Sequence, residues 1–146
     1  MNATRPGLLF LCVANSARSQ MAEGLARSLL PPGSRVYSAG SAPGRLHPLA
    51  VAALAELGID ISAHRAKGIE EIDAAHIGTV VTLCAEEVCP VFPGVVERLH
   101  WPLEDPAAAQ GSEPQRLDAF RQVRDALRRR LEAMLAAAGA EQAREA

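Results

Sequence analysis

Cys12, Arg18 and Ser19 form the pattern Cys-x5-Arg-Ser where a short apolar run gives way to a helical repeat. Each part has a use in oxyanion chemistry. The backbone N–H groups of a tight loop at the positive end of a helix make a nest for a tetrahedral anion. Arg18 can fork onto two of the anion's oxygens. A cysteine at a helix N-terminus is favoured as thiolate, the nucleophilic form, and Ser19 can donate a hydrogen bond to it. The candidate oxyanion-binding residues are therefore Val13, Ala14, Asn15, Ser16, Ala17, Arg18 and Ser19, with Asn15 suited to the left-handed turn such a loop needs. A nucleotide P-loop fits poorly, because the only lysine is Lys67 and no Gly-x-Gly-x-x-Gly is present.

Two more cysteines, Cys84 and Cys89, follow a β-branched run and are separated by four residues. From their type alone they are redox-active, metal-binding or buried for packing. Zinc is disfavoured, because there is no Cys-x2-Cys pair and His47, His64, His76 and His100 are not at paired ligand spacing; no metal is expected. Asp105 precedes Pro106 in a polar loop. Such an aspartate serves either as a turn residue or as a general acid.

The elements that must position these groups alternate between strands and helices. Residues 7–12 read as a strand buried on both faces. A helical pattern through Met21, Leu25 and Leu29 stops at Pro31. Strands are expected over 34–38 and 77–83, with a further candidate over 95–101. Helices are expected over 46–57 and, shorter, over 70–75. Residues 84–93 and 103–111 read as irregular. A last helix runs from Pro114 to about Ala138. The order predicts a single α/β domain of three layers, a central parallel sheet flanked by helices, spanning 1–139, with 140–146 a frayed tail. Arg128, Arg129 and Arg130 read as a solvated helix face.

Composition narrows the class. A chain of 146 residues can bury a core without staples, and 49% hydrophobic with 22% charged residues is neither a disordered chain nor a membrane protein. A net charge of -2 gives no reason to expect nucleic acid. Three cysteines make an odd count for a secreted disulfide framework. The apolar run 8–13 is too short for the core of a signal peptide, and no run of about 20 apolar residues is present to span a membrane. A cytoplasmic monomer is expected.

The stretch from Cys12 through Arg18-Ser19-Gln20-Met21-Ala22-Glu23-Gly24 resembles the nucleophile loop of the low-molecular-weight protein tyrosine phosphatases. It is still more similar to the thioredoxin-coupled arsenate reductases that share their fold. The likeness continues through Val36-Tyr37-Ser38-Ala39-Gly40, Thr82-Leu83-Cys84, Cys89-Pro90, His100-Trp101 and Glu104-Asp105-Pro106, covering the chain to about residue 130.

The resemblance implies reduction of arsenate to arsenite by a relay. Cys12 attacks arsenic, Arg18 and the loop amides hold the oxyanion, and Asp105 is the acid. Cys84 releases arsenite by forming a Cys12–Cys84 disulfide, and Cys89 then transfers the bond to Cys84–Cys89 for reduction by thioredoxin. Asn15, Ser19 and Glu23 would support the loop, and no cofactor is implied. On a regular helix, residues at i and i+5 have Cα atoms roughly 8–9 Å apart, beyond the ~7 Å reach of a disulfide. The implied bond and a helix over 84–89 therefore exclude each other, and the segment must rearrange on oxidation.

The alternative is a low-molecular-weight phosphatase that hydrolyses aryl or tyrosine phosphate through a Cys12 phosphoenzyme. It has no use for Cys84 or Cys89. Ala107-Ala108-Ala109 also stands where phosphatases of this kind carry substrate-lining tyrosines, although side activity on small aryl phosphates is compatible with the loop.

Two departures from the family pattern stand out. The Cys84–Cys89 spacing is shorter than usual. Some members bind potassium through residues matching Asn15 and Glu23 plus two further oxygens, but here His64, Arg65 and Lys67 occupy that region. A cation beside these charges is unfavourable, so no potassium dependence is expected, with a basic side chain in the ion's place.

Overall fold

The computed structural model describes residues 7–85, 89–94 and 96–145. β1 (Gly7–Cys12), β2 (Val36–Gly40), β3 (Ile77–Thr82) and β4 (Glu97–His100) form one sheet in the order β2-β1-β3-β4. All three pairings are parallel. The helices are α1 (Arg18–Leu29), α2 (Pro48–Ala55) and α3 (Glu113–Glu145). The strand order reverses between β1 and β3, so the crevice beyond their carboxyl ends is the natural ligand position.

The period-two alternation of the strands divides the core. Phe10, Val81 and Leu83 face α1, α2 and α3 and pack with Met21, Leu25, Leu54, Phe120 and Leu127. Leu9, Leu11, Ala39 and Val80 face the opposite side and pack with Phe92, Ile69 and Ile72. Trp101 is buried in the first cluster, its ring centroid 6.4 Å from that of Phe10. The two faces are covered unequally. The three α-helices contact one another over one face, whereas a short turn carrying Ile69 and Ile72 and an irregular segment carrying Phe92 cover the other.

Boundaries differ from expectation at several points. The helix expected over 70–75 is two 3-10 turns, Ile69–Glu71 and Ala74–His76. Asp73 separates them because its side chain accepts from Ala75 N at 3.0 Å, restarting the helix instead of continuing it. The loop at 103–111 contains a 3-10 turn, Pro106–Ala108. α3 continues to Glu145, past the Ala138 at which its apolar pattern ends. Of the strand candidate 95–101, Glu97–His100 pairs with β3 as an edge strand, and Val95 lies outside the described residues. Arg128, Arg129 and Arg130 are exposed, as a solvated face requires.

An ionic cluster ties α2 to α3. Glu56 accepts from Arg121 Nη2 at 2.6 Å and from Arg124 Nη1 at 2.8 Å, and Arg124 Nη1 also donates to Ala53 O at 2.8 Å. Hydrogen bonds from Arg121 and then Arg124 hold the Glu56 carboxyl down at about 2, against an ordinary 4.5. A depressed folded-state value means stabilisation that is complete above about 4.5 and fades as pH falls toward about 2. Glu56→Gln should therefore lower the melting temperature at neutral pH, and the gap to wild type should close over that acid range.

Candidate active site

All four strands bring functional groups to one edge of the sheet. β1 ends at Cys12, opposite Gly40 at the end of β2. On the other side Leu11 pairs with Thr82, and Leu83 N donates to Leu11 O at 2.9 Å, which sets Cys84 just past the end of β3 beside the end of β1. Trp101 N donates to Thr82 O and Leu103 N to Leu83 O, so the chain leaving β4 carries Asp105 to the same edge.

The loop from Cys12 to Arg18 turns as expected. Asn15 has φ 50°, the one positive-φ non-glycine among the described residues. Its side chain is fixed by acceptance: Oδ1 receives Lys67 N at 2.8 Å and Gln20 Nε2 at 3.0 Å. Nδ2 must then point the other way, and it donates to Ser19 Oγ at 2.7 Å. Cys12 Sγ lies 2.8 Å from the Ser19 hydroxyl, which must be the donor once Cys12 is a thiolate. In that state the chain Asn15–Ser19–Cys12 runs donor to acceptor toward the sulfur. Cys12, Asn15 and Ser19 are all buried, which keeps competing water from these bonds.

Gln20 was not apparent from the sequence. Its Nε2 also donates to Arg65 O at 2.8 Å, which leaves Oε1 to accept from His64 Nδ1 at 3.0 Å. These partners lie more than forty residues away, so no local pattern announces them. Burial pushes the His64 imidazole below its usual range; Glu23 opposes this and Lys67 adds to it. The neutral ring with hydrogen on Nδ1 is the form the network uses.

Glu23 is 5% exposed and surrounded by donors and cations. Ser38 Oγ donates to Oε1 at 2.6 Å, Arg27 Nε to Oε2 at 3.0 Å, and the Lys67 ammonium lies 3.7 Å from Oε1. Lys67 Nζ also donates to Arg65 O at 3.1 Å. The ammonium thus contacts a carboxylate and a carbonyl oxygen together. Among the described residues no cluster of metal-ligating side chains is present.

Arg18 is 3% exposed, and its Nη1 donates to Leu103 O at 3.0 Å and to Leu83 O at 3.4 Å. Its guanidinium is therefore drawn to the ends of β3 and β4, next to the Leu83–Cys84 peptide. Cys84 and Cys89 are joined by a disulfide with Cα atoms 5.5 Å apart, while Cys12 is a buried free thiol. The described residues of 84–93 contain no helix, as the bond requires. Asp105 caps the following turn, its Oδ1 accepting from Ala107 N at 3.0 Å, so the turn role is real whatever else the carboxylate does. It stands at a cleft of about 720 Å³ lined by Ala85, Leu103, Pro106, Ala108 and Ala109, with Gln122 and Val123 of α3 opposite. Small side chains leave the cleft open, with no aromatic wall.

The chain belongs to the low molecular weight phosphotyrosine protein phosphatase family, matched over residues 7–144. An arsenate reductase of Bacillus subtilis is 45% identical over 126 residues, 85% of this chain and 91% of the relative. A solved arsenate reductase in the phosphate binding state superposes with a TM-score of 0.76 at 36% identity, covering 90% of this chain and 98% of that one. A thioredoxin-dependent arsenate reductase of Corynebacterium glutamicum gives a TM-score of 0.66 at 26% identity, covering 94% of this chain and 65% of that one.

If Lys67 supplies the positive charge beside Glu23, potassium has no site to fill. Melting temperatures in potassium chloride and sodium chloride at equal ionic strength should coincide. A gain specific to potassium would contradict this assignment.

Proposed function

We propose that this protein reduces arsenate to arsenite through Cys12, Cys84 and Cys89, with a thioredoxin-type dithiol protein as reductant. The observation that carries the reading is the cysteine pairing: the residue at the oxyanion loop is free, and the other two are bonded to each other. That is the distribution a three-thiol relay reaches at the end of its cycle, and a phosphatase cycle has no step that produces it. Relatives named as arsenate reductases, one of them thioredoxin-dependent, support the same assignment.

In the proposed cycle, arsenate enters the nest of Val13, Ala14, Asn15, Ser16, Ala17, Arg18 and Ser19. Arg18 forks onto its oxygens in the reduced protein. Cys12 thiolate attacks As(V), and Asp105 protonates the departing hydroxide, which leaves as water. Cys84 thiolate then attacks Cys12 Sγ. The sulfur–arsenic electron pair stays on arsenic, arsenite departs as As(III), and a Cys12–Cys84 bond forms. Cys89 thiolate attacks Cys84, Cys12 leaves as thiolate, and the Cys84–Cys89 bond carries the oxidation. Two electrons from the reductant's dithiol close the cycle.

Access favours Cys89 as the point of reduction. Cys84 is 1% exposed, whereas Cys89 is half-buried. Val91, two residues on, is 80% exposed and supplies an apolar contact beside the bond. Asn15, Ser19 and Glu23 support the loop and take no part in bond making. No bound cofactor enters the scheme. A reducing compartment such as the cytoplasm suits a disulfide that must be reopened every turnover. No helix among the described residues is long and apolar enough to cross a membrane.

Cys84→Ser should abolish multiple turnover of arsenate with thioredoxin, a loss of at least ~10³-fold, while leaving phosphate binding intact. Survival of turnover in that variant would contradict the relay. Efficient aryl phosphate hydrolysis with no arsenate reduction by wild type would support the phosphatase reading instead.

A further inference from the structure

The oxyanion loop is held from its outer side by a set of hydrogen bonds distinct from those that serve Cys12. Val13 O accepts from Ala42 N, Ala14 O from Gly44 N and Ser16 O from His47 N, each at 2.9 Å. The two carbonyls between and after these are held by α1. Asn15 O accepts from Gln20 Nε2 at 3.2 Å, and Ala17 O from Met21 N at 2.9 Å. Every carbonyl from residue 13 to residue 17 is therefore tied.

The consequence follows from peptide geometry. In a trans peptide the C=O and N–H of one unit point in opposite directions, and no cis peptide is present among the described residues. Tying five successive carbonyls outward turns the N–H groups of Ala14, Asn15, Ser16, Ala17 and Arg18 toward the other side of the loop. That side is where an oxyanion must sit to use them. Two of the ties belong to α1, and three come from the segment joining β2 to α2.

That segment is fitted closely to the loop. A Cβ on Gly40 would collide with Val13 O and lie 2.9 Å from Asn15 N, so only glycine lets the two backbones approach. At the far end His47 is fastened in two directions. Its Nδ1 accepts from Leu49 N at 3.1 Å, capping α2, and its ring lies 4.7 Å from the Phe120 ring of α3. His47 thus caps a helix, and its backbone also reaches the oxyanion loop.

We propose that residues 42–47 form a brace that sets the direction of the oxyanion-binding amides, with His47 the positioning residue that anchors it to α2 and α3. The brace rests on the oxyanion-loop reading for its ligand, but not on the redox relay. It acts on anion affinity through the backbone and touches neither substrate nor the reacting sulfur.

His47 allows a test at a single position. Its φ of -78° and ψ of 130° are values proline adopts without strain. His47→Ala removes the side chain and keeps the N–H; His47→Pro removes both. The difference between the two variants therefore reports loss of the His47 N–H···O=C Ser16 bond together with displacement of Ser16 O by the proline ring carbon that replaces the hydrogen. With inorganic phosphate as the probe, the dissociation constant of His47→Pro should exceed that of His47→Ala by at least about 3- to 10-fold, the value of the hydrogen bond alone. Equal constants for two folded variants would overturn the brace. Amide hydrogen exchange on the wild type covers the case in which His47→Pro does not fold. Phosphate should slow exchange at Ala42, Gly44 and His47, because linkage between anion and brace is reciprocal; unchanged exchange there would overturn it. A wild type that binds no phosphate would overturn the oxyanion-loop reading and the brace together. Phosphate binding with equal variant constants would overturn the brace alone.

Discussion

The parallel pairing of β1 with β3 is the constraint on which the rest depends. It places Leu83 N on Leu11 O at 2.9 Å and so brings the ends of two cysteine-bearing strands side by side. Strand ends in a parallel sheet all open in one direction, and the order β2-β1-β3-β4 leaves the crevice between the central pair. Gly40 from β2 and Asp105 from beyond β4 then reach the same edge without any long excursion of the chain. A register slip of one residue on β3 would turn Val80 and Val81 to the wrong faces and carry Cys84 away with them.

A second requirement is to keep a polar apparatus in a dry interior. Asn15, Ser19, Gln20 and Ser38 are fully buried, and Glu23 nearly so. Each has named partners, and no buried side-chain nitrogen or oxygen among the described residues lacks one. Isolated, the Glu23 carboxylate would cost several kcal/mol to bury; Arg27, Lys67 and Ser38 offset that cost. Lys67 also holds Asn15 through its backbone N–H, so compensation of the buried charge and the hydrogen-bond chain from Asn15 through Ser19 to Cys12 meet at one residue. The brace at 42–47 does for the loop's backbone what this network does for its side chains.

Much of this was legible in the sequence, and the remainder has a common cause. The continuous apolar run at 7–12 and the β-branched run at 77–82 announced buried parallel strands. Cys12, Arg18 and Ser19 raised the expectation of an anion site, and the resemblance added Cys84, Cys89 and Asp105 to it; the parallel strands bring the carboxyl ends that carry them to one edge. Lys67 was expected as a charge opposed to a bound cation, and its ammonium does lie beside Glu23. What stayed hidden depends on backbone atoms or on partners far along the chain. Gln20 works through Arg65 O and His64, and the brace works through N–H groups that any residue but proline carries. Residues 70–75 look like one short helix because their composition permits it; the Asp73 cap that divides them is a local contest between two hydrogen-bonding schemes.

The sheet register, the buried network and the short Cys84–Cys89 segment converge on one chemical claim, that oxidation passes from Cys12 through Cys84 to Cys89. The most direct measurement starts from fully reduced protein, allows a single arsenate turnover without reductant, traps free thiols and maps them by mass spectrometry. The account predicts Cys12 free and Cys84 bonded to Cys89, with one arsenite released per chain. Three free thiols with no arsenite released, or a final disulfide that retains Cys12, would contradict it.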